Sequence, residues 1–278
     1  MTKKALSNNL LGATARWTAA ARALESKHAD RLFNDPWAEE LAGPEGMAWA
    51  AHRPKDSLAP MILRIRFFDD FLQRITRENA VRQVVLMAAG LDTRAFRLKW
   101  PAGTSFYELD QPAVLQEKQQ ILRSAGAQTD CSWCTIEIDL TDPWENALVK
   151  AGFEPGQPSV WLLEGFLFYM PRERVSHLLD AVNNLSSPGS WLGFDIINSI
   201  TLTSPYTRPW IEMQALSGAP WIGTMEDPVD FMATRGWKAT LSQAGAPDAN
   251  HNRWQLPVIP VTMPDMPHNW FVTAQKEN

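Results

Sequence analysis

The chain is short of cysteine, of tyrosine, of long apolar runs and of positive charge, and each shortage removes a class of function. Its two cysteines, Cys131 and Cys134, are spaced C-x-x-C, which raises a redox pair or half of a zinc site. A zinc site takes about four ligands, and no second pair joins them. The five histidines (His28, His52, His177, His251, His268) are scattered without metal-ligand spacing, so no metal is expected. The longest apolar run, Val84 to Leu91, has eight residues, whereas a membrane-spanning helix needs about 20. Met1-Thr2-Lys3-Lys4 carries charge as a signal peptide does, but Ser7, Asn8 and Asn9 stand where the apolar region would follow. The expectation is a cytoplasmic protein that does not bind membrane. A net charge of -5 and a pI near 5.6 have the wrong sign for neutralising phosphates, which excludes nucleic acid as an expected partner. The G-x-G-x-x-G fingerprint, the Walker loop and the G-x-S-x-G elbow are all missing. Neither a pyrophosphate cradle nor a serine hydrolase is specified.

What remains is ordinary in bulk and odd in detail. Apolar residues make up 45% and charged residues 21% of 278, the proportions of a globular chain that can bury a sizeable core in one large α/β domain. The oddity is 13 tryptophans against 3 tyrosines, with 20 prolines. Nine prolines lie between Pro205 and Pro267, a stretch that also holds Trp210, Trp221, Trp237 and Trp254 outside or between them, with Trp270 just beyond. Such a loop-rich, aromatic third suits either the wall of a pocket or the stiffening of irregular chain.

Periodicity orders the rest. Residues 13–25 are helix formers, and Asp35-Pro36 reads as the N-cap and first position of a second helix. Over 54–77, Leu58, Ile62, Ile65, Phe68, Leu72 and Ile75 recur at helical spacing and need an apolar surface to pack on. Val84 to Ala88 is a short apolar run that reads as a strand buried on both faces. Strands at 105–109, 131–138, 160–163 and 190–197 then alternate with helices at 112–124, 143–151 (N-capped by Asp142) and 171–185. This alternation predicts a doubly wound, mostly parallel sheet with N-terminal helices. The expected organisation is a single domain, 1–278: helices to residue 77, a core over 78–198, an inserted cap over 199–228, and C-terminal strands over 229–278.

Ligands in such sheets bind beyond the carboxyl ends of the strands. Four consecutive strand ends offer a glycine turn at Gly90, then Glu108 and Asp110, then Asp139 beside Leu140, then Glu164 before Gly165. Asp139 and Asp142 could each be no more than helix caps. Taken together, three acidic strand ends without a phosphate loop suit a ligand with ribose hydroxyls, a purine and a cationic centre, a description that S-adenosylmethionine meets.

Here the chain resembles the leucine carboxyl methyltransferase family, especially its bacterial branch of small S-adenosylmethionine-dependent O-methyltransferases. The resemblance is carried by Thr14-Ala15, Arg22-Ala23-Leu24-Glu25, Asp35-Pro36-Trp37-Ala38 and Arg64-Ile65-Arg66-Phe67-Phe68-Asp69-Asp70. It continues through Ala88-Ala89-Gly90-Leu91-Asp92-Thr93-Arg94, Tyr107-Glu108-Leu109-Asp110-Gln111-Pro112, Asp139-Leu140 and Glu164-Gly165-Phe166-Leu167-Phe168-Tyr169, over roughly residues 13–197. It implies a class I, Rossmann-like methyltransferase fold. It also implies that Gly90 and Glu164 meet the methionine amino end of the cofactor, Arg64 its carboxylate, Asp110 the ribose, and Asp139 and Leu140 the adenine, with Ala88 also among the cofactor-binding residues. Trp37, Phe166 and Phe168 depart from the usual pattern on the acceptor side.

Methyl transfer from a sulfonium asks mainly for positioning. A carboxylate acceptor, pKa near 4, is already ionised at pH 7, whereas a phenol, near 10, benefits from a base. With no histidine visible at a strand end, the expectation is esterification of a small aromatic or apolar carboxylate of secondary metabolism, with no catalytic residue required. The alternatives are a phenol, with His251 or His28 as base, a protein C-terminal carboxylate, or a protein that binds the cofactor without turnover. Candidate acceptor-side residues are Arg16 and Arg22 as cations and Tyr169, Tyr206 and Trp210 as walls. The oligomeric state is not legible.

Overall fold

The computed structural model describes residues 3–53 and 55–277, and of 3–11, 55 and 56 the backbone alone. The Met1–Thr2 start and Pro54, the expected onset of the third helix, lie outside the described residues. Helix α1 (Lys3–Ser26) begins ten residues before the expected start at 13. Ala19, Ala20 and Ala21 are fully buried on it, and the small side chains of Ala19 and Ala20 admit Leu41 and Ala42 of α2 (Ala38–Ala51), a helix interrupted at Gly43–Pro44. Asp35 does not cap α2, whose N-cap is Trp37. The Asp35 carboxylate is buried against Arg22, Nε to Oδ2 at 2.7 Å, and accepts the Thr93 hydroxyl at 2.6 Å. Its Oδ1 still accepts the amide of Trp37 at 3.2 Å, one residue before the helix begins, while Oδ2 is taken by Arg22 and Thr93.

A 3₁₀ turn at Lys55–Leu58 leads into α3 (Ala59–Glu78). Ile62, Ile65, Phe68, Leu72 and Ile75 are buried along it, the stripe read from the sequence. Phe68, Phe71, Leu72 and Ile75 pack on Val84 and Leu86 of β1 (Gln83–Met87), while Val85 and Met87 point into the opposite layer. This alternation is the strand period of two, with both faces covered.

The chain continues through α4 (Arg94–Arg97), β2 (Ser105–Asp110), α5 (Pro112–Ser124), β3 (Ser132–Glu137) and α6 (Glu145–Lys150). The last begins two residues later than read, with Trp144 rather than Asp142 at its cap, because the buried Trp144 anchors the turn in the core while Asp142 stays in water. There follow β4 (Ser159–Leu163), α7 (Arg172–Leu185), β5 (Trp191–Ile197), α8 (Ser199–Thr203), α9 (Arg208–Leu216), α10 (Pro228–Ala233), β6 (Trp237–Ser242) and β7 (Asn269–Lys276). The seven strands lie in the order β3-β2-β1-β4-β5-β7-β6, with β7 antiparallel to both its neighbours and the other pairs parallel. This is the mixed, doubly wound sheet of a class I, Rossmann-like fold.

Trp144, Leu148, Val175, Leu179 and Val182 cover the second face. Each such fully buried side chain stabilises the fold by about 1.5–3 kcal/mol. Cys131 packs on the α3 side and Cys134 on the other, as the strand reading requires, and burial raises both thiols. Among the described residues no group of three or more His, Cys, Asp or Glu is placed to hold a metal ion, and no helix is long and apolar enough to cross a membrane.

Candidate active site

The carboxyl ends of β1, β2 and β4 open into a cavity of about 1030 Å³, at the upper end of the ~300–1,000 Å³ usual for ligand sites. Its floor follows from sharp turns where the strands stop. After β1, Ala88 (φ 53°) and Gly90 (φ 52°) are both left-handed, which swings the backbone across the sheet edge. The Gly90 amide donates to Asp110 Oδ2 at 2.6 Å, and the Gln111 amide donates to Oδ1 at 2.6 Å. Burial raises the Asp110 carboxyl, and these two amides oppose the rise. Two bonds leave lone pairs on a carboxylate that has about four acceptor sites, so Asp110 can still take hydroxyls. At the next strand end, Thr141 donates to Asp139 Oδ1 through its amide (2.9 Å) and its hydroxyl (2.8 Å), leaving Oδ2 outside these bonds.

The fourth strand end is a charge network. Glu164 is held from two sides, by Arg64 Nε on Oε1 (3.0 Å) and Arg94 Nη2 on Oε2 (2.7 Å). Arg64 Nη1 also donates to Asp195 Oδ2 at 2.8 Å, and the Gly165 amide donates to Asp195 Oδ1 at 2.6 Å. Gly165 (φ 68°) must stay glycine here, since a Cβ would stand 3.0 Å from Arg64 Nη2. Arg94 reaches Asp69 and Asp92, each at 2.6 Å, and Asp69 is shared with Arg97 at 2.5 and 2.7 Å. Burial alone would raise Asp92, but Arg94 and then Arg97 hold it down to about 2. Burial likewise raises Asp195, with Arg64 opposing. Three guanidiniums thus face four carboxylates, and Asp110 and Asp139 add to the negative side. The floor suits a ligand carrying positive charge.

Arg64, Ala88, Gly90, Asp110, Asp139, Leu140 and Glu164 all line this cavity, as do Arg22, Tyr169, Tyr206 and Trp210. Arg16 does not. It pairs with Glu117 and approaches the Leu41 carbonyl, so its expected place as an acceptor-side cation is corrected. Arg22 reaches the wall but is committed to Asp35 and, through Nη2, to the Leu91 carbonyl at 2.6 Å. It is not a free cation either.

The segment 199–227 lies over the cavity: Met225 donates its amide to the Ile197 carbonyl, Ile222 and Gly223 donate theirs to the Phe168 carbonyl, and Thr201, Tyr206, Trp210, Gln214 and Trp221 line the wall. Tyr206 is 81% exposed and stands at the mouth rather than within. From α1, Ala15, Trp17 and Thr18 complete that side, with Trp17 stacked on Trp49 at 5.0 Å.

The sequence reading missed Asp195, whose signal is a lone acid in the apolar strand Trp191–Ile197. It also missed the four-way role of Arg94. A further omission is the loop between β6 and β7, from which Gln243, Trp254, Val258 and His268 reach the cavity. Buried polar atoms without a protein partner concentrate here: the indole nitrogens of Trp49 and Trp254, Oε1 of Gln111 and Gln214, Nδ1 of His268 and Oδ1 of Asn269.

The family model for leucine carboxyl methyltransferase matches residues 15–183. A relative in Saccharopolyspora erythraea, assigned by name to the S-adenosyl-L-methionine-dependent methyltransferases, is 38% identical over 255 residues, covering 84% of this chain and 86% of its own. A similarly named relative in Frankia alni is 40% identical over 236 residues, covering 82% and 83%. A Thermobifida fusca crystal structure titled as a methyltransferase superposes with a TM-score of 0.60 over 95% of this chain and 94% of its own, at 16% identity, a likeness of fold. With the model spanning more than half the chain and these relatives spanning most of it, the chain belongs to the leucine carboxyl methyltransferase family.

Proposed function

We propose that the protein transfers the methyl group of S-adenosylmethionine to an oxygen of a small, largely apolar acceptor. The observation that carries this reading is the convergence of four strand ends, Gly90, Asp110, Asp139 and Glu164, on one cavity with a surplus of carboxylates. The residues fit the cofactor. Asp110 keeps lone pairs for the ribose hydroxyls, Asp139 and Leu140 offer an acceptor beside an apolar surface for adenine, and Glu164 suits an ammonium. Arg64 would hold the carboxylate end, although Glu164 and Asp195 already engage two of its nitrogens. When bound, the cofactor supplies an electrophilic methyl on a sulfonium. The chain's part is to position, to exclude water and to surround that charge with fixed carboxylates.

The volume leaves room for a second molecule between Trp17, Trp49, Trp210 and Trp221. Aromatic walls of this kind favour a flat, apolar acceptor. A carboxylate acceptor, ionised near neutrality, needs no base from this lining, and a phenol is the second reading.

Calorimetry with S-adenosylhomocysteine tests the cofactor half, and methyl-label transfer to a panel of aromatic acids and phenols tests the acceptor half. Absence of cofactor-product binding would sink the proposal.

A further inference from the structure

The lining of the cavity changes character from one end to the other. All its aspartates, glutamates and arginines, from Arg22 to Glu164, precede residue 165. The crossings 199–227 and 243–268 add none, and bring instead Tyr206, Trp210, Trp221, Trp254 and the run from Leu256 to Ile259. Both contain stretches without a charged residue, 213–225 and 254–264, in a chain where 21% of residues are charged.

The apolar end does not stop at the mouth. Leu256 is 66% exposed and Val258 42%, and both, like Tyr206, belong to the lining, so the same residues border the cavity and the water outside it. Among the described residues eight large apolar or aromatic side chains are exposed, and six of them fall on these two crossings. Single exposed apolar residues are ordinary, but their concentration around a cavity mouth marks a surface that something apolar covers. The loop is firmly placed. Gln243 Nε2 donates to the Ile259 carbonyl, Trp270 Nε1 donates to the Val261 carbonyl at 3.1 Å, and Pro257 and Pro260 restrict the backbone between.

We propose that the methyl acceptor is a long-chain amphiphile, a carboxylic acid whose alkyl chain leaves the cavity through this mouth and covers Leu256, Val258 and Tyr206. The proposal rests on the methyl-transfer reading above and extends it, since the apolar part of the acceptor does not end inside the cavity. The division of the lining sets the orientation. The carboxylate lies at the charged end, where one of its oxygens forms a bond to the methyl carbon as the methyl–sulfur bond breaks with its electron pair left on sulfur; no proton moves. The chain lies along the uncharged end, where a second charged group would find no partner. A second copy of the protein fits this surface less well, because Leu256 and Val258 continue the wall of a cavity, and a protein face laid across the mouth would leave the interior part of that wall uncovered.

The test is calorimetry on the full chain saturated with S-adenosylhomocysteine and titrated with butanoate, octanoate and dodecanoate below their micelle concentrations. Affinity should rise by up to about fourfold per methylene and should still be rising between octanoate and dodecanoate. In the double variant Leu256→Gln, Val258→Thr the loss of affinity should grow with chain length, reaching roughly tenfold for dodecanoate. Both positions are exposed, and S-adenosylhomocysteine binding by the variant reports an intact fold. Affinity that levels off by octanoate, a loss equal at all lengths, or no loss for dodecanoate would overturn the proposal. So would a dimer in sedimentation that the double variant splits, which gives the surface to a second copy. With 4-ethylphenol and 4-octylphenol run in parallel, a length dependence confined to the phenols would overturn the carboxylic acid. Failure of S-adenosylhomocysteine to bind the parent would strike the methyl-transfer reading itself, whereas its binding together with a flat length profile strikes the long chain alone.

Discussion

Arg94→Met removes the cation that three carboxylates share, and the structure says which of the three suffers. Asp69 keeps Arg97, and Glu164 keeps Arg64 at 3.0 Å. Asp92 loses its only ion pair among the described residues, the 2.6 Å contact to Arg94 Nη1. Removing one partner of a buried pair costs about 3–5 kcal/mol, and with a single orphan the lower end, about 3 kcal/mol, is expected. An independent route gives a similar figure: the fall of Asp92 from the ordinary aspartate range to about 2 is worth about 2–3 kcal/mol.

Urea unfolding at neutral pH of Arg94→Met, Asp92→Asn and the double variant measures this. The double variant should recover about 2 kcal/mol relative to Arg94→Met, because the orphaned charge is gone. In the parent, the depressed Asp92 adds stability that is fully present above the ordinary aspartate pKa, about 3.9, and is lost as pH falls toward about 2. In Arg94→Met the sign reverses. Burial is opposed less, the Asp92 pKa rises, and protonation relieves the penalty, so the gap to the parent should narrow as pH falls from neutrality. A gap that stays constant with pH, or a double variant no more stable than Arg94→Met, would refute the reasoning.

Asp110→Ala should weaken S-adenosylhomocysteine binding by about 1–3 kcal/mol in calorimetry, and an unchanged affinity would remove Asp110 from the ribose site. Because burial raises the Asp110 carboxyl above the ordinary aspartate range, the parent's affinity should also fall on acidification, sooner than an unperturbed aspartate would dictate, while that of Asp110→Ala should follow pH less steeply. Arg64→Lys keeps the charge but cannot span both Glu164 and Asp195, so affinity should drop roughly tenfold; binding as tight as the parent would make the fork dispensable. Trp210→Ala should alter which acceptors are methylated and leave S-adenosylhomocysteine affinity unchanged, and an unaltered acceptor profile would take Trp210 out of the acceptor wall.

The floor of the cavity was legible because it is built from consecutive strand ends. In a parallel sheet each β–α turn brings its own short motif to the same edge, so Gly90, Asp110, Asp139 and Glu164 could be read one after another. The helical stripe of α3 was legible for the same local reason, a period of 3.6 carried by Ile62, Ile65, Phe68, Leu72 and Ile75. Partnerships across the chain were not. Arg16 and Arg22 looked available until folding brought Glu117 and Asp35 to them. Asp35 and Asp142 carried the local pattern of caps, yet an ion pair removed the first, and the buried Trp144 shifted the helix start past the second. Asp195 reaches Arg64 across 131 positions of sequence, a distance at which no spacing rule operates.

The acceptor half follows a different rule. The strand β7 enters the sheet in reverse and brings its beginning, not its end, to the cavity edge. The loop before it, 243–268, is therefore obliged to arrive over the cavity, and its Trp254, Pro257 and Pro267 form wall there alongside α9. One antiparallel strand thus divides the labour of the site. The parallel strands form the cavity floor through turns that cannot vary without moving Gly90 or Gly165 out of their left-handed conformations. The two long crossings before β6 and β7 supply much of the rest of the wall and can change in length and composition with little effect on the sheet. Substitutions in 199–227 and 243–268 should accordingly shift which acceptor is taken, while those at residues 88–94, 110 and 164–165 should cost binding of S-adenosylhomocysteine whatever the acceptor. Calorimetry and acceptor profiling on the same set of variants would expose a breakdown of that division, most directly if a loop substitution distant from Gly90 and Glu164 abolished cofactor-product binding.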